Sequence, residues 1–164
     1  MLDLPQAAVP VGTQLKSRQQ SVAVAESSAG GLISAALLAV PGASAYFLGG
    51  GTVYTSDAKK ILLDIPQTTM DIARAATEAH ALNLARAVQK RLNSTWGLGE
   101  TGAAGPTGNR YGDPPGHTCI GVWGPVCRAL TIKTQASDRA QNMAIFTQEA
   151  LDLLLACVEE SGAT

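Results

Sequence analysis

Two rhythms alternate along the chain. Short, unbroken apolar runs at 22–25, 96–100, 118–123 and 129–133 predict buried strands, and 52–55 predicts another. Between them apolar residues return every three or four positions, the signature of helices that bury one face. The stretch 32–40 is almost wholly apolar and predicts a buried helix, stopped by Pro41-Gly42. Thr55 or Ser56 caps the next helix, with Asp57 in its first turn and Ile61, Leu62 and Ile65 as its apolar face up to Pro66. A long pattern over 68–93 puts Ile72, Ala75, Ala79, Leu82, Ala85 or Arg86, and Val88 near one face, with Thr77-Glu78 as a restart into a second helix. Ser137-Asp138 caps a last helix to Glu160, striped by Ala140, Met143, Ala144, Thr147, Leu151, Leu154 and Val158. Residues 1–20 are weakly patterned and interrupted by Pro5, Pro10 and Gly12, with a polar surface helix expected over 13–20.

Strands alternating with helices predict an α/β fold, and the short Gly124-Pro125 connection makes the last two strands an antiparallel hairpin. The expected architecture is a single-domain, three-layer α/β/α sandwich over 1–164 with a mixed, mostly parallel sheet, of which 1–12 is a poorly patterned N-terminal segment. No repeat, low-complexity tract or linker divides it. Loops at the C-terminal ends of the parallel strands then gather at one edge, where open α/β sheets keep their sites. That edge is expected to collect Ser27, Gly30, Gly31, the loop around Gly105 and, from the second helix, Lys59.

Composition narrows the functional classes. Hydrophobic residues make up 46% and charged residues 15%, which describes a well-packed domain with a lean charged surface. Twelve basic against thirteen acidic residues leave a net charge of −1 with no basic stripe, so charge-driven nucleic-acid binding is excluded. The lean surface favours a homo-oligomer, a dimer or higher. Cys119, Cys127 and Cys157 are odd in number and lack metal-ligand spacing, so they read as buried thiols in a reducing compartment, and His80 and His117 complete no metal cluster. No leader pattern and no apolar run of about 18 residues occur. The expectation is a cytoplasmic protein working without membrane, metal or cofactor.

Candidate chemistry concentrates in three places. The turn 26–31, Glu-Ser-Ser-Ala-Gly-Gly, leads from a strand into a helix N-terminus, where free amides and the positive dipole end suit an anion or an oxyanion; an ordinary capped turn is the competing reading. Lys59 occupies the first turn of its helix at the place where a Ser56 cap would want Glu or Gln, so a cation opposes the helix field there. That field lowers a lysine's pKa toward a neutral amine able to act as a base. Lys60 is expected to turn to solvent. The loop 101–116 holds five glycines and three prolines, a composition that suits a nest of amides for a phosphate or ribose, although it lacks a P-loop ending. Arg139, in the first turn of the last helix, is within reach of a ligand phosphate or of Asp138 and Glu149. His80 reads as a packed or solvated helix residue rather than a catalytic one, and His117, closing the loop, is the only alternative general base near it.

Four ordered motifs carry a family likeness: AESSAGG at 25–31, VPGASAYFLGGGTVYTSDAK at 40–59, TGAAGPTG at 101–108 and SDR at 137–139. Together, over about 13–160, the chain resembles the CinA C-terminal domain family, the competence/damage-inducible domain also found as a stand-alone nicotinamide-mononucleotide deamidase. The resemblance implies a three-layer α/β/α fold and hydrolysis of the carboxamide of nicotinamide mononucleotide to nicotinate mononucleotide and ammonia. It implies Ser27 as nucleophile and Lys59 as its base, with Tyr54 and Arg139 matching the family's Tyr and Arg. Gly30, Gly31, Gly105, Thr107 and Gly108 then serve the oxyanion and the substrate. Three departures stand out: Ser28 and Ala29 replace Cys-Thr of the usual AESCTGG, Ser-Asp replaces Asn-Glu before Ala58-Lys59, and the loop GNRYGDPPGH is longer than the common version. The alternatives are a nucleotide-binding module that does not catalyse, motivated by Ala29 and the altered loop, and an amidase for another pyridine nucleotide or small amide.

Overall fold

The computed structural model describes residues 2–162. Helix α1 (Leu4–Ser17) precedes β1 (Val22–Glu26), α2 (Leu32–Ala39), a 3-10 turn (Ala43–Ala45) and β2 (Phe47–Thr52). Then come α3 (Ser56–Leu63), α4 (Gln67–Ile72), α5 (Glu78–Leu92), β3 (Trp96–Ala103), β4 (His117–Trp123), β5 (Arg128–Lys133) and α6 (Arg139–Ser161). The strands form one five-stranded sheet in the order β2-β1-β3-β4-β5. Strand β1 pairs in parallel with both β2 and β3, whereas β4 runs antiparallel to β3 and β5, so β4 alone is reversed. The sheet is mixed and mostly parallel, as the sequence predicts.

Helices cover both faces. On one face α1, α2 and α6 enclose the larger core, built from Leu15, Ile33, Leu37, Tyr46, Trp96, Leu98, Phe146 and Leu154 among others. On the other, α5 lies across β1, β3 and β4 with α3 beside it, over a smaller core of Ala23, Ala25, Val53, Leu63, Ile65, Met70, Leu84 and Val88. Strand β3 is glycine-rich because α5 sits against its backbone. A Cβ on Gly99 would stand 2.2 Å from Ala81 O, so only glycine there, with alanine on the helix, permits the approach. This close seat fixes the N-terminal half of α5, and with it His80, over the C-terminal ends of the parallel strands.

Several elements differ from the sequence expectation, each for a visible reason. Residues 4–17 form a helix despite Pro5 and Pro10. Pro5 lies in the first turn, where its missing N–H leaves no bond unmade, and the loss at Pro10 is offset by burial of Ala8, Val11 and Leu15 against α2 and α6. The second strand is 47–52, with the three glycines inside it, and not 52–55. Thr55 caps α3, which puts Lys59 one place further from the cap than Ser56 would have done. The inward face of α3 is Lys59 and Leu63, while Ile61 and Leu62 are exposed. The pattern over 68–93 breaks at 73–77, where Ala76 takes a positive φ of 59°, so α4 and α5 lose phase and Ile72 is left 89% exposed. Helix α6 buries Asn142 and Phe146 while Ala140 is exposed. Of the cysteines, Cys119 and Cys157 are buried and Cys127 is exposed. Among the described residues no helix is long and apolar enough to cross a membrane.

Candidate active site

Two buried carboxylates hold the turn after β1, Glu26 at the end of that strand and Glu100 inside β3. Glu26, fully buried, accepts from Ile33 N at 3.0 Å, Ser34 N at 2.9 Å and Ser34 Oγ at 2.7 Å. It therefore caps α2 from within the chain, and the helix end that the sequence offered to an external anion is already filled. Burial pushes the Glu26 carboxyl above its ordinary 4.5, the Ser34 and Ile33 hydrogen bonds pull it down, and the charge of Glu100 pushes the same way as burial. The turn itself needs left-handed backbone at Gly30 (φ 68°) and Gly31 (φ 99°), which glycine supplies without strain.

Glu100, next to the end of β1 through β3, holds the rest of that turn. Its Oε2 accepts from Ser27 N at 3.0 Å and Ala29 N at 2.9 Å, and its Oε1 accepts from Ser28 Oγ and, at 2.6 Å, from Thr118 Oγ1. Gly30 N donates within the turn to Ser27 O at 3.2 Å. The amides of Ser28 and Gly31 make no hydrogen bond within the described residues, and neither does Ser27 Oγ. Ser27 is 7% exposed, so its free hydroxyl keeps a sliver of accessible surface.

One cleft borders this turn at Ser28, and a second is lined by Lys59. The first, about 180 Å³, is lined by Ser28, Tyr54 and the loop residues Gly105, Thr107, Gly108 and Asn109, with Arg139 closing it. Arg139 Nη1 donates to Gly105 O at 2.5 Å, fixing loop and helix start together rather than pairing with Asp138 or Glu149. The loop is not loose. Asn109 Oδ1 accepts from the amides of Tyr111 and Asp113, and Asp113 is held by Arg74 at 2.8 Å. The second cleft, about 210 Å³, is lined by Lys59, His80, Arg74, Arg110, Tyr111 and Asp71, among others.

Lys59 is only 4% exposed, an unusual burial for a lysine with no hydrogen-bond partner among the described residues. Burial lowers its pKa from the ordinary 10.5, and the charge of Glu100 partly opposes the shift. The cause is therefore desolvation. Lys60, by contrast, stays half-exposed and lies 3.8 Å from Asp57. His80, 2% exposed, sits at a ring-nitrogen distance of 2.8 Å from Ala73 O, and its Nε2 has no partner. Burial first, and the Lys59 charge second, push its pKa down to about 4, against the Ala73 carbonyl, so it is neutral at pH 7. His117 is buried at the start of β4, with Nε2 3.0 Å from Ala76 O, and lines neither cleft.

The structure thus gathers Tyr54, Gly105, Thr107, Gly108 and Arg139 around one cleft, with Ser28 rather than Ser27 on its wall. Lys59 belongs to the other cleft, and no hydrogen bond joins Lys59 Nζ to Ser27 Oγ. Glu100 links the two, bonded to the serine turn and electrostatically felt at Lys59. Sequence reading missed Glu100, Glu26 and the packing role of Arg74. The signal was present: acidic residues end two otherwise apolar runs, and a buried carboxylate must collect donors.

A model of the CinA C-terminal domain matches residues 5–158. The chain belongs to the CinA C-terminal domain family. A CinA-like protein of Desulforapulum autotrophicum is 36% identical over 145 residues, covering 88% of this chain and 34% of the relative. One of Cyanothece sp. is 43% identical over 115 residues, covering 70% and 28%. The chain spans about a third of the length of the curated relatives it matches. Among solved structures, the competence/damage inducible protein CihA of Agrobacterium tumefaciens superposes with a TM-score of 0.85 at 27% identity, over 94% of this chain and 95% of that one. A CinA superfamily protein of Klebsiella pneumoniae gives 0.90 at 21% identity, over 96% and 99%, a likeness of fold.

Proposed function

We propose that this CinA-family chain is an amidohydrolase that deamidates nicotinamide mononucleotide through Ser27 and Lys59. The observation that carries the reading is Lys59: a buried lysine, its pKa lowered by desolvation, facing the same carboxylate that anchors a serine whose hydroxyl is free. A buried lysine whose pKa is lowered gives up its proton more readily and can serve as a base. Ser27 Oγ attacks the carboxamide carbon and its proton passes to Lys59. The tetrahedral oxyanion draws on the unengaged amides of Ser28 and Gly31, each such donor typically worth about 3 kcal/mol. The C–N bond then breaks, Lys59 returns the proton to nitrogen and ammonia leaves. Water cleaves the acyl-enzyme by the same route and releases the carboxylate product. In this reading the first cleft takes ribose and phosphate against Thr107, Gly108 and Arg139, with Tyr54 at its rim.

The absence of a hydrogen bond between Ser27 and Lys59 favours a second reading, a nucleotide-binding module that does not turn over. A panel of nicotinamide mononucleotide, nicotinamide riboside and simple aryl amides, followed by ammonia release, separates them. Turnover restricted to the mononucleotide supports the amidohydrolase. Saturable binding with no ammonia supports the module.

A further inference from the structure

Glu100 is a fully buried carboxylate that holds the serine turn from a neighbouring strand, and its cost demands an explanation. An acidic side chain with 0% exposure loses its hydration at a large cost unless its oxygens are satisfied. Here they are. Four donors converge on it, from Ser27 N, Ala29 N, Ser28 Oγ and Thr118 Oγ1. Three of the four belong to consecutive residues of one turn, which is more than a cap or a packing role requires. The amides that bracket the Ser27–Ser28 dipeptide both end on Oε2, so the backbone torsions that aim the Ser27 side chain are pinned from either side. The Ser28 hydroxyl is committed as a donor to Oε1, whereas Ser27 Oγ stays uncommitted. With two adjacent serines in the turn, this division of labour selects one of them.

We infer that Glu100 is a positioning residue: it fixes the turn so that Ser27, and not Ser28, presents a free hydroxyl for attack. The inference rests on the amidohydrolase reading above. It adds a second consequence through charge. Lys59 is faced by Glu100 from β3, by His80 from α5, by Asp71 from α4, by Arg74 from the connection before α5, and by Arg110 and Tyr111 from the loop. Replacing Glu100 by glutamine alters only the first of these. The group that opposes the lowering of the Lys59 pKa is then gone, so the acid limb of the rate profile moves to lower pH.

Two readouts on the intact protein test this. The first is sulfonylation of Ser27 by phenylmethylsulfonyl fluoride, mapped by peptide mass; the second is ammonia release from nicotinamide mononucleotide against pH. Glu100→Gln is expected to slow Ser27 labelling and kcat by about a hundredfold, with KM within a few-fold and the acid limb displaced downward. Labelling and kcat within threefold of wild type, with the limb unmoved, would overturn the inference. If Glu100→Gln fails to fold, Thr118→Val decides: it removes one donor to Oε1 and should slow labelling several-fold, and an unchanged rate would overturn the claim. Wild-type protein that labels at Ser27 but releases no ammonia would sink the substrate reading while the labelling rates still decide the role of Glu100. Labelling of Ser28 in preference to Ser27 in the wild type would overturn it outright.

Discussion

Burial of His80 makes the fold acid-sensitive in a way that a single substitution removes. The ring is 2% exposed, its Nε2 is unpartnered, and its pKa falls from 6.5 to about 4. A folded-state pKa below the unfolded value means the unfolded chain binds the proton first, so stability is full above about 6.5 and declines as pH falls toward 4. Linkage over those two values gives a loss of about 2 kcal/mol by pH 5 and about 3 kcal/mol by pH 4. His80→Leu removes that titration and adds a constant offset of roughly 1 kcal/mol for the lost bond to Ala73 O. The measurement is urea unfolding of both proteins at pH 7.5 and pH 5. The wild type should lose about 2 kcal/mol more than the variant between those pH values. Parallel curves would show that His80 carries no such shift.

Two further outcomes follow from the geometry. Gly105 has a φ of 113°, and a Cβ there would stand 2.6 Å from Ser137 O, so Gly105→Ala should lower Tm by several degrees; an unchanged Tm would mean that the loop does not fix the start of α6. The exposed Ile61, Leu62 and Ile72, with Tyr54 nearby in sequence, leave apolar surface on the α3–α4 side. A homo-oligomer covering that surface is expected in sedimentation at micromolar concentration, and a clean 16.8 kDa species would argue against it.

The layers were legible because hydrophobic rhythm reports burial, and burial is what the layers share. The apolar runs at 22–25, 96–100 and 118–123 became the central strands, and Asp138 capped α6 as its sequence promised. Local rules failed where tertiary packing outweighed them. Pro10 sits inside α1 because three buried side chains hold that helix, and the glycines of β2 form a strand because β1 supplies the partner ladder. Lys59 was singled out for opposing the helix field, but its shift comes from burial, a property no local window contains. Glu100 stayed silent in the sequence because its meaning depends on donors at Ser27, Ser28, Ala29 and Thr118, up to 73 positions away. Glycines flagged as ligand cradles also serve left-handed backbone in turns, as Gly31 and Gly105 illustrate.

The central claim is that Ser27 and Lys59 act as one catalytic unit, and ammonia release by purified variants tests it most directly. Ser27→Ala and Lys59→Met should each abolish deamidation of nicotinamide mononucleotide with the fold intact, and the double variant should be no worse than either. The wild-type rate should rise with pH through a base held below the ordinary lysine value of 10.5. His117→Ala, which touches neither cleft, should keep kcat within about tenfold. Retention of most activity by Lys59→Met, with its loss in His117→Ala, would contradict the account and put a Ser-His mechanism in its place.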